Sequence, residues 1–165
     1  MPILDEHTLD FLSRSPEQTR RIGLRLGGLF QIGDLICLVG DLGAGKTTLV
    51  QGIAQGWGSL DAVSSPTFVL VNEYLRPDGG LLFHMDAYRI ESGPEAAELD
   101  PDRMLTAGAL IIEWADRIQS ILPADRLWIQ LEHIAEEQRQ MRFIAGGERY
   151  DHILSDLRQN MFGAA

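Results

Sequence analysis

Cysteine and lysine each occur once in the 165 residues, and acidic residues outnumber basic ones by twenty-four to fourteen. A single cysteine excludes a disulfide framework. Cys37 lies inside Leu35-Ile36-Cys37-Leu38-Val39, where it reads as a small buried hydrophobe and not as a nucleophile or metal ligand. No apolar run approaches the roughly 18 residues that a membrane span needs. The net charge of −10 leaves little room for a basic stripe that grips nucleic acid by counterion release, so strong direct nucleic-acid binding is not expected. The start, Met1-Pro2-Ile3-Leu4-Asp5-Glu6, lacks the basic-then-apolar layout of a signal peptide, which makes a soluble, cytoplasmic chain the expectation. Repeats, low-complexity stretches and long linkers are missing too, so one domain over residues 1–165 is expected. The 45% apolar and 23% charged content is near the globular average.

The patterning predicts an α/β fold with a central, largely parallel sheet, flanking helices and an antiparallel hairpin. His7–Leu12 reads as a first strand. Ser15-Pro16-Glu17-Gln18 reads as a helix start, with serine at the cap, proline at the first position and glutamine three residues on. Asp34–Val39, bounded by glycines, reads as a buried parallel strand, and a helix is predicted from about Lys46 to Trp57. Phe68–Tyr74 and Leu81–Met85 form a predicted hairpin about Arg76-Pro77-Asp78-Gly79-Gly80. Pro94–Leu99 reads as helical. Ala109–Trp114, Leu127–His133 and Met141–Ala145 read as further strands, and Glu148–Phe162 as a closing helix. The charge-rich stretches Glu95–Asp102 and Glu132–Arg142 read as solvated surface.

Gly40-Asp41-Leu42-Gly43-Ala44-Gly45-Lys46-Thr47 matches the P-loop pattern: glycine, four residues, glycine-lysine and a hydroxyl residue. Chance produces this pattern in roughly one chain in a few hundred, and here it stands between a predicted strand and a predicted helix. The glycines let successive backbone N–H groups approach phosphate without an intervening side chain. The helix that follows turns its positive end toward the same place. Lys46 would supply a compact charge to the β- and γ-phosphates, and the Thr47 hydroxyl would complete the coordination of Mg²⁺. Arginine, planar and bulkier, does not fit that slot, and thirteen of the fourteen basic residues are arginine. Metal and water need carboxylates beside the loop. Asp86 and Glu113 each follow an apolar run, at strand ends that would face the nucleotide crevice. His84 reads as a packed or hydrogen-bonded strand residue, with catalysis the alternative. Trp114 reads as core, with a cover over the site the alternative.

Taken in order, Gly40–Thr48, Ser65-Pro66-Thr67-Phe68, His84-Met85-Asp86-Ala87-Tyr88-Arg89 and Glu113-Trp114 resemble the TsaE family, small bacterial P-loop ATPases required for threonylcarbamoyladenosine formation on tRNA. The resemblance spans roughly Ser15 to Arg142. It implies ATP and Mg²⁺ as cofactors. Thr67 would belong to a switch-like loop that senses the γ-phosphate. Asp86 would be the Walker B-type acid near metal and attacking water, Glu113 a metal-site carboxylate, and Trp114 a neighbour of the nucleotide. Glu17, within Ser15-Pro16-Glu17-Gln18-Thr19, would reach toward the adenine end. The family's C-terminal glycine–arginine element reads Glu137-Gln138-Arg139-Gln140-Met141-Arg142 here, without the glycine. The implied partners are the transferase TsaD and its scaffold TsaB, whose complex the ATPase resets between rounds.

Two other readings are open at this level. A small-molecule P-loop kinase usually carries a lid with several arginines, and Glu91–Asp102 contains none. A non-catalytic nucleotide switch would not call for Asp86 and Glu113. With Lys46 the only lysine, no Asn/Thr-Lys-x-Asp guanine-reading motif is present, which favours adenine.

Overall fold

The apolar run that leads into the P-loop signature becomes the central strand of a seven-stranded sheet. The computed structural model describes residues 6–41, 45–61, 63, 71–91 and 93–160. Strands β1 (Thr8–Ser13), β2 (Leu35–Val39), β3 (Val71–Leu75), β4 (Leu81–Asp86), β5 (Gly108–Glu113), β6 (Arg126–Ala135) and β7 (Gln138–Gly146) alternate with helices α1 (Pro16–Leu29), α2 (Lys46–Trp57), α3 (Gly93–Glu98), α4 (Pro101–Ala107) and α5 (Glu148–Arg158). A 3₁₀ segment, Ala115–Ile121, follows β5. Across the sheet the order is β1-β7-β6-β2-β5-β4-β3. The four middle strands β6, β2, β5 and β4 run parallel. The β6–β7 and β3–β4 hairpins and the β1–β7 pair are antiparallel.

Strand β2 is apolar on both faces because both faces are covered. Ile36 and Leu38 pack with Leu49 and Ile53 of α2, Ile22 and Leu26 of α1, and Leu154 of α5. Leu35 and Cys37 pack on the other side with Met85, Ile112 and Ile118. Burial pushes the Cys37 thiol up to about 12, so it is a packed thiol, in keeping with its apolar neighbours.

Helix α1 starts as its sequence predicts. Ser15 Oγ accepts from Gln18 N at 3.2 Å, and Gln18 Oε1 reaches back to accept from Arg14 N at 2.7 Å. Helix α5 is tied to the start of β2. Arg149 donates from Nε and Nη2 to the Asp34 carboxylate at 3.1 and 2.8 Å, and Leu35 N donates to the Tyr150 hydroxyl at 2.8 Å.

Three features depart from the sequence reading. Helix α4 and the 3₁₀ segment fall where no element was assigned, although Asp100 caps α4 by accepting from Arg103 N and Pro101 opens it. The stretch Glu132–Arg142 is mostly exposed, as predicted, but β6 and β7 run through it to a tight turn at 136–137. Within Glu95–Asp102, Ala96 and Pro101 are buried, because α3 packs on the 3₁₀ segment and α4 on β5. Part of the predicted strand Phe68–Tyr74 lies outside the described residues, as do the last residues of the predicted closing helix.

Helices α1 and α2 approach until their backbones touch. A methyl group on Gly23 or Gly27 would meet the carbonyls of Leu49 and Ile53, and one on Gly52 or Gly56 would meet those of Arg20 and Leu24. Glycine in a helix costs about 1 kcal/mol relative to alanine; here it permits a contact that no larger residue allows. Gly28, one residue along α1, has open space beyond its Cα and only Gly56 O at 3.9 Å. Gly27→Ala should therefore destabilise the fold by about 2 kcal/mol or more through overpacking, whereas Gly28→Ala should stabilise it by up to about 1 kcal/mol. Paired thermal and urea melts check the contrast, and equal shifts for the two variants would contradict the close contact.

Candidate functional site

Strand β2 delivers the chain to the P-loop at the C-terminal edge of the parallel strands. Gly40 and Gly45 take φ of +154° and +98°, the latter in the left-handed region that suits glycine. Leu42, Gly43 and Ala44 lie outside the described residues, and so does Thr67. Gly45 is the N-cap of α2 and supplies no side-chain hydrogen bond to it, so the first-turn N–H groups are donors that an anion can use.

Lys46 opens α2 with only 5% of its surface exposed. Its Nζ donates to the Gly40 carbonyl and sits 3.7 Å from the centroid of the Trp114 ring. Burial holds the ammonium below its ordinary pKa, and the nearby charges of Glu113, Asp86, Asp116 and Asp41 work in the opposite direction. A cation in that setting is poised for an anionic ligand: phosphate oxygens can replace the carbonyl while the carboxylates keep it charged. Thr47 is exposed beside it and Thr48 is half-buried; Asp41, at the loop's start, is exposed.

The two carboxylates are brought together by register. Asp86 ends β4, Glu113 ends β5, and they are direct partners across the parallel pair. Burial raises the Asp86 carboxyl above the usual range, with the Glu113 charge adding to it. The Tyr88 N–H, donated to Asp86 Oδ1 at 2.8 Å, pulls the other way. Glu113 is itself buried, and its Oε2 lies 2.6 Å from Nε2 of the fully buried His84. Nδ1 of that imidazole meets the Tyr74 hydroxyl at 2.9 Å. His84 is thus hydrogen-bonded inside the sheet, the reading its spacing favoured.

Trp114 follows Glu113 at φ +58°, an uncommon conformation for a large side chain. It turns the ring under Lys46 and starts the 3₁₀ segment. Tyr88 stacks on it with centroids 4.9 Å apart, and the Arg117 guanidinium lies 5.1 Å from the Tyr88 centroid. Tryptophan at a strand end suggested core; the ring is partly buried against the core and also flanks Lys46. Glu17 stands exposed in the first turn of α1. Its motif neighbours are structural: Ser15 caps the helix, and the buried Thr19 hydroxyl pairs with Ser13 Oγ at 2.7 Å.

Arg139 is the residue that sequence spacing did not place. Its stem passes beside the P-loop, where a methyl group on Gly45 would be 3.6 Å from its Cγ, while its Nη1 donates to the carbonyls of Ala135, Glu136 and Gln138. Only the β6–β7 pairing brings it there, so no local signal could have found it.

Among the described residues no three His, Cys, Asp or Glu side chains gather as a metal cage. The available oxygens of Thr47, Asp86 and Glu113 are hard donors, a set that suits Mg²⁺ completed by phosphate and water. Among the described residues no helix is long and apolar enough to cross a membrane.

Comparison with known proteins agrees with the motif order. The family model for the threonylcarbamoyl adenosine biosynthesis protein TsaE matches residues 13–141. The tRNA threonylcarbamoyladenosine biosynthesis protein TsaE of Bacillus subtilis is 39% identical over 147 residues, covering 88% of this chain and 91% of that protein. Its counterpart from Streptomyces coelicolor is 39% identical over 137 residues, 79% of this chain and 93% of that one. The crystal structure of Bacillus subtilis YdiB superposes with a TM-score of 0.77 at 33% identity, covering 93% of this chain and 95% of that one. The chain belongs to the TsaE family of tRNA threonylcarbamoyladenosine biosynthesis proteins.

Proposed function

We propose that this protein is a Mg²⁺-dependent ATPase that serves tRNA N6-threonylcarbamoyladenosine formation by acting on the TsaD–TsaB complex. The observation that carries the reading is the buried Lys46 at a strand–glycine loop–helix junction, within electrostatic reach of Asp86 and Glu113. In it, Gly40, Asp41, Leu42, Gly43, Ala44 and Gly45 are assigned to the phosphates on the P-loop pattern, which binds through backbone N–H groups. Lys46 exchanges the Gly40 carbonyl for phosphate oxygen, and Thr48 extends the donor set along the first turn. Trp114 limits where the lysine can point and keeps water from one side of it. Glu17, exposed at the start of α1, is assigned to the adenine end on family resemblance.

Thr47, Asp86 and Glu113 would hold a magnesium ion, which would supply positive charge to neutralise the phosphates. Asp86 is assigned to orienting the attacking water; burial raises its carboxyl, and the like charge of Glu113 adds to that. Thr67 is assigned to sensing the γ-phosphate on family resemblance. The net charge of −10 fits a protein that acts beside a tRNA-modifying enzyme without gripping tRNA itself.

Three outcomes are expected. Lys46→Ala should raise the dissociation constant for Mg-ATP at least about tenfold with the fold retained, since the change removes a charge held against its desolvation cost. Calorimetry and turnover both unchanged would refute the P-loop reading. Asp86→Asn and Glu113→Gln should each lower turnover by about 10²-fold while nucleotide affinity moves far less, because the backbone cradle is intact. Single-turnover rates equal to the parent's in both variants would misplace the site.

The third outcome concerns partners. Fast P-loop hydrolysis needs a further cation at the transferring phosphoryl group, worth roughly 10³–10⁵ in rate when supplied in trans. Arg89, three residues past Asp86, belongs by family resemblance to a structural or partner-facing motif, Arg139 beside Gly45 donates to the β6–β7 turn carbonyls, and Arg117 lies over the Tyr88 ring. The isolated chain should hydrolyse ATP slowly, and the purified TsaD–TsaB pair should accelerate it. Rapid turnover that ignores the pair would point to a free-standing ATPase or kinase.

A further inference from the structure

The buried line Tyr74–His84–Glu113 crosses three strands under α2 and ends at the candidate magnesium site. In the sheet, His84 pairs with Ile111 and Asp86 with Glu113, while Tyr74 pairs with Leu82. The three side chains are therefore diagonal neighbours on one face, within reach of one another. Tyr74 is 3% exposed, His84 0% and Glu113 4%; His84 lies across from the apolar Ile111 on β5 and from the polar Asn72 on β3. A histidine that only filled space there would be replaceable by leucine. Both of its ring nitrogens are instead satisfied, as a buried imidazole requires.

The polarity of the line follows from the end groups. An ionised carboxylate only accepts, so Nε2 carries the proton given to Glu113 Oε2. In the neutral ring Nδ1 is then the acceptor and the Tyr74 hydroxyl donates to it. Each group fixes the next: the carboxylate selects the tautomer, the tyrosine hydroxyl holds the ring orientation, and histidine occupies one oxygen of Glu113 in one direction. Lys46 feels the Glu113 charge more than that of any other carboxylate.

We propose that His84 is a positioning residue: held by Tyr74, it orients Glu113 so that the carboxylate meets the magnesium ion and its water in one geometry. This rests on the reading of Lys46, Asp86 and Glu113 as the Mg-ATP site. Removal of such an outer partner typically lowers metal affinity or activity 10- to 100-fold.

The test uses the full chain with ATP and Mn²⁺ as a paramagnetic stand-in for magnesium. Free Mn²⁺ is titrated by electron paramagnetic resonance, alongside calorimetry of ATP without metal and single-turnover hydrolysis. His84→Asn and His84→Gln bury the same amide. Only the longer glutamine places its N–H near the former Nε2, so it keeps the bond to Glu113, while asparagine keeps only the side facing Tyr74. His84→Asn is expected to weaken Mn²⁺ binding to the ATP complex about 10- to 100-fold with metal-free ATP affinity unchanged. His84→Gln should recover most of the loss. Tyr74→Phe, which deletes one oxygen, should weaken Mn²⁺ binding about two- to tenfold, and it decides the matter if the His84 variants do not fold.

Glu113→Gln separates the two levels of inference. If it leaves Mn²⁺ affinity unaltered, the site reading fails and the positioning role falls with it. If it lowers that affinity while Tyr74→Phe matches the parent, or while Asn and Gln at position 84 behave alike, the positioning role alone is overturned.

Discussion

The contact of α1 on α2 through Gly23, Gly27, Gly52 and Gly56 is the constraint on which the rest of the molecule depends. Helix α2 carries Lys46 at its first position and Thr47 and Thr48 behind it, so its placement sets where every loop donor points. An ordinary helix pair stands 8–10 Å apart, separated by side chains. Removing the side chains from both surfaces seats α2 against α1, with Leu49, Val50 and Ile53 buried against the sheet. The helix-propensity cost of the glycines, about 1 kcal/mol each, is offset by close packing along the length of the contact. The tolerance to movement of the loop–helix junction is correspondingly small, which suits a site in which backbone N–H groups do the binding.

Parallel pairing supplies the other half of the arrangement. In a parallel pair, residues at the C-terminal ends of neighbouring strands fall side by side, and here they are Asp86 and Glu113. Burial raises Asp86, with the Glu113 charge adding to it, and Lys46 is held below its ordinary pKa by burial. Each group is thus kept away from its preferred solvation and has something to gain from a ligand of the right charge. The same strand ends fix Trp114 in a left-handed conformation, and the ring it projects covers the lysine. Strain of this kind is tolerated where the surrounding sheet determines the backbone.

Much of this was legible in the residues themselves. The P-loop spacing, the apolar runs that end in Asp86 and Glu113, and the Ser15-Pro16 helix start depend on local stereochemistry and on periodicity, which a single chain displays. Strand and helix assignments agreed with the structure wherever both faces of an element were committed, as in β2 and α2. They weakened between Leu99 and Ala107, where short helices are held by tertiary cover and by the Asp100 cap. His84 illustrates the boundary well. Its burial and bonding could be anticipated from an apolar strand, but its two partners could not, because they come from different strands.

From composition and motif alone the chain determined its α/β character, its P-loop signature between a strand and a helix and the identity of the carboxylates beside Lys46, since these follow from residue type and short-range spacing. Tertiary structure alone decided that Tyr74, His84 and Glu113 form one line, that Arg139 passes over Gly45, and that four glycines weld α1 to α2. The reason is physical: those relations depend on strand order, register and helix approach, which are set by the simultaneous burial of residues up to about a hundred positions apart, and no local pattern encodes them.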